Sequence, residues 1–191
     1  MTDTLAKPLR AGTSKLRGTH EEQEARRRDI RKCKPSAELR YRRRDGVDNY
    51  VEQIKTSSPD KVIALERNGV PAVFVQDLGK RIGLSTSVLY GTLGIPKSTA
   101  AKAIGAKGKI TGIPARTTVT IAKLLGIVQD MLNRSTAAEA KGFDGAKWLG
   151  NWLGRPHPAL NGQCPSEIVA TNTGAEIAKR LLRSMESGSF Q

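Results

Sequence analysis

Few residues in this chain could do covalent chemistry. The imidazole and thiol groups are His20 and His157, Cys33 and Cys164. They lie far apart, share no metal-ligand spacing and sit in no nucleophile motif. His157 stands between Pro156 and Pro158, and Cys164 has no sequence cue to a base. No catalytic residue, metal site or cofactor is therefore expected, and an enzyme is the disfavoured reading. Gly108-Lys109 imitates a phosphate-binding loop. That loop needs a further glycine where Ala103 stands, and Ser or Thr where Ile110 follows. Gly105-Ala106-Lys107-Gly108 supplies the G-x-x-G of an RNA-binding KH loop, but the preceding residues read as helix where that fold needs strands. The stretch reads instead as a flexible basic loop.

What the chain has in quantity is positive charge. It carries 32 Lys and Arg against 18 Asp and Glu, a formal net charge of +14 over 191 residues. An excess of that size points to an anionic partner, nucleic acid first. The excess is patterned. Residues 78–129 carry Lys80, Arg81, Lys97, Lys102, Lys107, Lys109, Arg116 and Lys123 and no carboxylate at all. The last 62 residues are nearly neutral. Within the acid-free stretch, Lys97, Ser98, Thr99, Lys102, Lys107 and Lys109 are the candidate DNA-binding residues. They cluster where a second short helix and its following loop would present them to base edges and phosphates.

The elements that must position them are helical. Ser58-Pro59-Asp60 is a helix start, and Asn68-Gly69 a stop. Pro71 opens a further helix with Val73, Phe74, Leu78 and Ile82. Ser85 caps a short helix to about Thr92. Leu93-Gly94-Ile95 is a tight turn, and Pro96 opens the helix that carries Lys97 and Lys102. Helix, glycine turn, short basic helix is the layout of a helix-turn-helix. An overlapping frame, Leu78 to Leu89 about Gly83, competes with it and would move the DNA surface toward Lys80 and Arg81. Residues 117–133 form a long apolar helix, read as core or as core plus dimer interface. Three regions follow: a flexible basic N-terminal tail over 1–46, a helix-turn-helix domain over 47–134, and a small helical domain over 135–191. The tail is either an arm on DNA phosphates or a solvated extension. The expected fold is all-α. No apolar run spans a bilayer and no secretory h-region is present, so a cytoplasmic protein without membrane contact is expected.

The C-terminal region carries the most specific pattern. Ala146-Lys147-Trp148-Leu149 is followed by Pro158-Ala159-Leu160-Asn161-Gly162, Pro165, Ile168-Val169, Thr171, Gly174-Ala175-Glu176, Leu181-Leu182 and Gly188-Ser189-Phe190. Thr173 and Glu176 fit a capping box for the last helix. This sequence resembles the Xre/MbcA/ParS toxin-binding domain. Asn68-Gly69-Val70-Pro71 and Leu93-Gly94-Ile95, with Thr99 and Lys102, are similar to the same family's Xre-like helix-turn-helix. Three departures stand out. Trp152 and Pro156 lie three or four residues late, Lys102 and Ala103 stand where the family usually has arginines, and the tail has no family counterpart. The resemblance implies an antitoxin whose partner is a RES-domain toxin that consumes NAD or ADP-ribosylates a target. The antitoxin would obstruct the toxin's active site and bind its own promoter DNA. Arg180, Arg183, Met185, Ser187, Ser189, Phe190 and Gln191 are the candidate toxin-binding residues, with Phe190 as an apolar plug on a glycine tether. The helix-turn-helix implies a homodimer within a toxin–antitoxin hetero-oligomer. A basic DNA- or RNA-binding regulator with no toxin partner is the alternative.

Overall fold

A helix forms where apolar residues recur on one face and the chain can be capped at each end. The computed structural model describes residues 39–136 and 142–186, and nearly every such pattern in them is helical. Helix α1 (Gly46–Thr56) buries Val47, Tyr50, Val51 and Ile54, the i, i+3, i+4, i+7 stripe of an amphipathic helix. Helix α2 (Pro59–Asn68) starts at Ser58-Pro59 as its sequence requires, and the Gly69 N–H closes it on the Leu65 carbonyl. Helices α3 (Ala72–Arg81), α4 (Thr86–Leu93) and α5 (Lys97–Gly105) follow. The long helix α6 (Ile113–Arg134) runs through the middle and packs against α1, α2 and α4 as well as against the C-terminal helices. These are α7 (Gly145–Leu153), a 3₁₀ turn (Pro158–Leu160), the single turn α8 (Pro165–Ile168) and α9 (Asn172–Glu186). The architecture is all-α, as expected.

Helix α6 explains why the described residues share one core. Ala115, Val119, Ile121, Ala122, Leu124 and Leu125 are fully buried, so almost every face of the helix is covered. Its two buried threonines satisfy their hydroxyls locally. Thr117 donates to the Ile113 carbonyl and Thr118 to that of Pro114. Leu149, Leu153, Ala178 and Leu182 from α7 and α9 join the same buried cluster as Tyr50, Phe74 and Leu78.

Some placements differ from the sequence reading. A two-residue antiparallel pair, β1 (Val70–Pro71) with β2 (Lys109–Ile110), ties the start of α3 to the end of α5. It closes at Gly69, whose φ is +88° and where a Cβ would lie 2.7 Å from the Ile110 carbonyl oxygen, so no other residue fits. The segment assigned to the tail is packed from Leu39 onward. Tyr41 lies edge-on to Tyr50 and Phe74, with ring centroids 5.3 and 5.1 Å away, and donates a 2.9 Å hydrogen bond to Asp77. Burial and that carboxylate push the Tyr41 phenol well above its ordinary pKa. The rest of the tail lies outside the described residues. The cap of α9 is Thr171 and not Thr173. The Thr171 hydroxyl accepts from the Gly174 N–H at 3.0 Å, and its carbonyl accepts from Ala175. Glu176, expected in a capping box, pairs with Lys179 instead.

Candidate functional site

The acid-free stretch builds its front from α4, a glycine turn and α5. The Ser85 hydroxyl caps α4 by accepting from the Val88 N–H. Gly94 takes the left-handed conformation (φ 66°, ψ 33°) that ends the helix and turns the chain. Leu89, Leu93 and Ile95 plug the core on either side of the turn, and Ala100, fully buried, lets α5 lie close. That packing leaves Lys97, Ser98 and Thr99 exposed in the first turn of α5, with Lys102 exposed one turn on. Lys97 and Lys102 pair with no carboxylate among the described residues.

The stretch beyond α5 is not the flexible loop its composition suggests. The Lys107 N–H bonds the Ile104 carbonyl, and the Gly108 N–H reaches back to Ala103 at 2.8 Å, a Schellman closure. The Ala72 N–H then holds the Gly108 carbonyl at 3.0 Å. The closure puts Lys107 in the left-handed region (φ 49°), where glycine is usual. Lys107 and Lys109 are exposed on this pinned turn, beyond the C-terminal end of the helix that carries Lys97.

Two other cations of the acid-free stretch are committed to carboxylates. Arg81 at the end of α3 bridges Asp48 of α1 at 3.0 Å and Asp144, just before α7, at 2.7 Å. Burial works against its charge, but the hydrogen bonds to Asp144 and Asp48 outweigh that and raise its pKa. The same guanidinium, helped by the Lys147 N–H, holds the Asp144 carboxyl below the usual carboxylate range. Lys123 of α6 pairs with Glu66 of α2 at 3.1 Å. Arg81 thus serves as a tie between front and back, whereas Lys97, Lys102 and Lys107 are presented outward.

The back is built on α7. Trp148 and Trp152 stack one turn apart with ring planes at 15°, and His157 sits edge-on to Trp152. His157 is a capping residue here: its Nδ1 accepts from the Ala159 N–H. The Cys164 N–H is held by Glu167 at 2.9 Å, which starts α8. Gly150 lets α7 lie against the backbone of Ile82, since a Cβ there would overlap the Ile82 carbonyl. On α9, Arg180 and Arg183 are exposed, while Met185 is partly buried against the core. Ser187, Ser189, Phe190 and Gln191 lie outside the described residues. Among the described residues, no cluster of His, Cys, Asp and Glu could hold a metal ion, and no helix is long and apolar enough to cross a membrane.

The family model of the antitoxin Xre/MbcA/ParS C-terminal toxin-binding domain matches residues 142–188, the span of α7, α8 and α9. That segment is similar to the toxin-binding domain of the Xre/MbcA/ParS-type antitoxins. A curated relative, the Prs ADP-ribosylating antitoxin of Sphingobium sp. (strain YBL2), is 28% identical over 134 residues, 70% of this chain and 83% of that protein. The matched segment therefore starts just before Asp144, the residue that Arg81 holds. Sequence reasoning missed three residues that set this domain's position: Arg81 as a tie, Asp144 as its anchor and Gly150 as the contact point. A signal existed for Gly150 alone, a glycine in the interior of an otherwise strong helix.

Proposed function

We propose that this chain is an antitoxin that binds and neutralises a RES-domain toxin that consumes NAD or ADP-ribosylates a target, by obstructing the toxin's active site. The observation that carries the proposal is the match of the toxin-binding domain to α7–α9. The name of the Sphingobium relative supports the ADP-ribosylating chemistry. Arg180, Arg183 and Met185 on α9 lead into Ser187, Ser189, Phe190 and Gln191, and this end of the chain is the part that enters the toxin. Phe190 supplies the one large apolar group beyond α9. The same antitoxin binds promoter DNA, as a homodimer, through Lys97, Ser98, Thr99 and Lys102 of α5, with Lys107 and Lys109 on adjacent phosphates. Support comes from the outward display of those side chains on a helix that follows a glycine turn, in a segment with no carboxylate. Deletion of residues 187–191 tests both halves. Growth rescue from the co-expressed toxin should be lost while operator binding persists. Full rescue by the shortened chain would refute the assignment of the C-terminal residues.

A further inference from the structure

Helix α4 lies in sequence between two helices that carry exposed lysines, yet none of its own residues is charged. Leu89, Tyr90 and Leu93 face the core. Ser87, Val88 and Gly91 are exposed and share the other face, at spacings of three and four residues. Val88 is 47% exposed. Gly91 stands within the helix, where glycine is the poorest former after proline. Nothing in the chain lies within 4 Å of the point its Cβ would occupy. Packing inside the chain therefore does not require a glycine there, whereas a partner that comes close to the helix backbone does.

The mounting of α4 says what that partner is. A Cβ at Gly79 would run into the Leu89 side chain, so α3 and α4 meet at close range. Between them Gly83 takes φ +75°, the Leu84 N–H reaches back to the Gly79 carbonyl at 2.9 Å, and Ser85 caps α4. This is the helix-turn-helix frame about Gly83, with α4 as its second helix. The second helix of such a unit lies in the major groove of DNA, and its N-terminal residues meet base edges. Cations stand before and after it. Lys80 is exposed in the last turn of α3 and Lys97 in the first turn of α5. Neither pairs with a carboxylate among the described residues, and residues 78–129 contain none. Phosphate contacts position a protein without reading sequence, which falls to the groups that face the bases. We infer that α4 reads the DNA sequence, with Ser87 and Val88 on base edges and Gly91 giving room for the duplex, while Lys80 and the α5 lysines hold phosphates. Val88 cannot hydrogen-bond, and the apolar group that a base pair presents in the major groove is the thymine C5-methyl. Val88 therefore meets a thymine methyl. This inference rests on the DNA-binding reading above and supplies its base contacts.

The test begins with selection of duplexes from a random-sequence library by the full chain. Failure of the wild-type chain to enrich any sequence refutes the DNA-binding reading itself, before any variant is compared. In the enriched duplex each thymine is then replaced by uracil, which removes only the C5-methyl. Wild-type affinity should fall by about fourfold at one position or more, the worth of one buried methyl-sized group. Val88→Ser should bind the thymine and uracil duplexes alike at that position. Gly91→Ala should lower affinity for the enriched duplex by about tenfold, as a clash in a packed contact does. Its Tm should stay equal or rise, because alanine is the better helix former. Uracil duplexes bound as tightly as thymine ones, a thymine preference that survives in Val88→Ser, or wild-type affinity in Gly91→Ala each overturns the inference.

Discussion

Gly150→Ala should destabilise this protein, although alanine is the better helix former. An added Cβ would overlap the carbonyl oxygen of Ile82 and lie 2.9 Å from its carbon. Non-bonded carbons rest about 3.5–4.0 Å apart, so α7 must retreat by roughly 1 Å. The obstacle is backbone at the end of α3, which no side-chain rotation can clear. A retreat of that size opens gaps around Leu149 and Leu153, both 0% exposed, and a gap of about 1 Å forfeits up to about half of each contact's attraction. Overpacking of this kind costs about 1–3 kcal/mol, and a backbone clash belongs near the upper figure. The helix-propensity gain of Ala over Gly, about 1 kcal/mol, opposes it. The net is about 2 kcal/mol, or a fall in Tm of about 4–8 °C for a chain of this size. The assay is thermal unfolding followed by tryptophan fluorescence, since Trp148 and Trp152 both lie on α7. A variant with wild-type Tm, or one raised by the propensity gain, would refute the close approach of α7 to Ile82.

Other consequences are smaller. Replacing Lys97 or Lys102 with Ala should each reduce the slope of log affinity against log salt for operator DNA by about 0.9; unchanged slopes would move the DNA surface off α5. Thr171→Ala removes the cap of α9 and should cost about 1 kcal/mol in urea unfolding, whereas Thr173→Ala, off the cap, should cost clearly less. Lys107→Gly relieves a left-handed lysine, so the folded protein should be unchanged or up to about 1 kcal/mol more stable despite glycine's greater unfolded-state entropy. The Arg81 tie makes stability depend on acid. Because the Asp144 pKa is lowered in the folded chain, its contribution is complete above the ordinary carboxylate pKa of about 3.9 and is lost as pH falls through the lower folded value. Asp144→Asn should flatten that part of the stability–pH curve and leave the region above pH 5 parallel to wild type.

Where the sequence could be read, the signals were local. Ser58-Pro59, Ser85 and Gly94-Ile95-Pro96 each fix a helix boundary through atoms only a few residues away, and the structure places boundaries there. Thr171 and Thr173 are both acceptable caps, and local chemistry did not distinguish them. The choice is made by the turn before it, where the Thr171 N–H and hydroxyl both bond the Ile168 carbonyl. The Schellman closure placed Lys107, and not either flanking glycine, at the left-handed position, because Gly108 must turn to meet Ala72. Contacts across long sequence separations left no local trace. Tyr41 and Asp77 are 36 residues apart, and Arg81 and Asp144 are 63 apart. The charge pattern was legible as an excess, but its division into outward lysines and internal ties required the fold. For the C-terminal domain, ordered motif residues over α7–α9 named the family where composition was silent.

The proposed neutralisation of a RES-domain toxin by the segment built from α7, α8 and α9 is tested most directly by the rate of NAD consumption by a purified RES-domain toxin, titrated with the full chain. Consumption should stop near stoichiometric addition, and a chain lacking residues 187–191 should inhibit much less. Undiminished NAD consumption at a several-fold excess of the full, folded chain would contradict it.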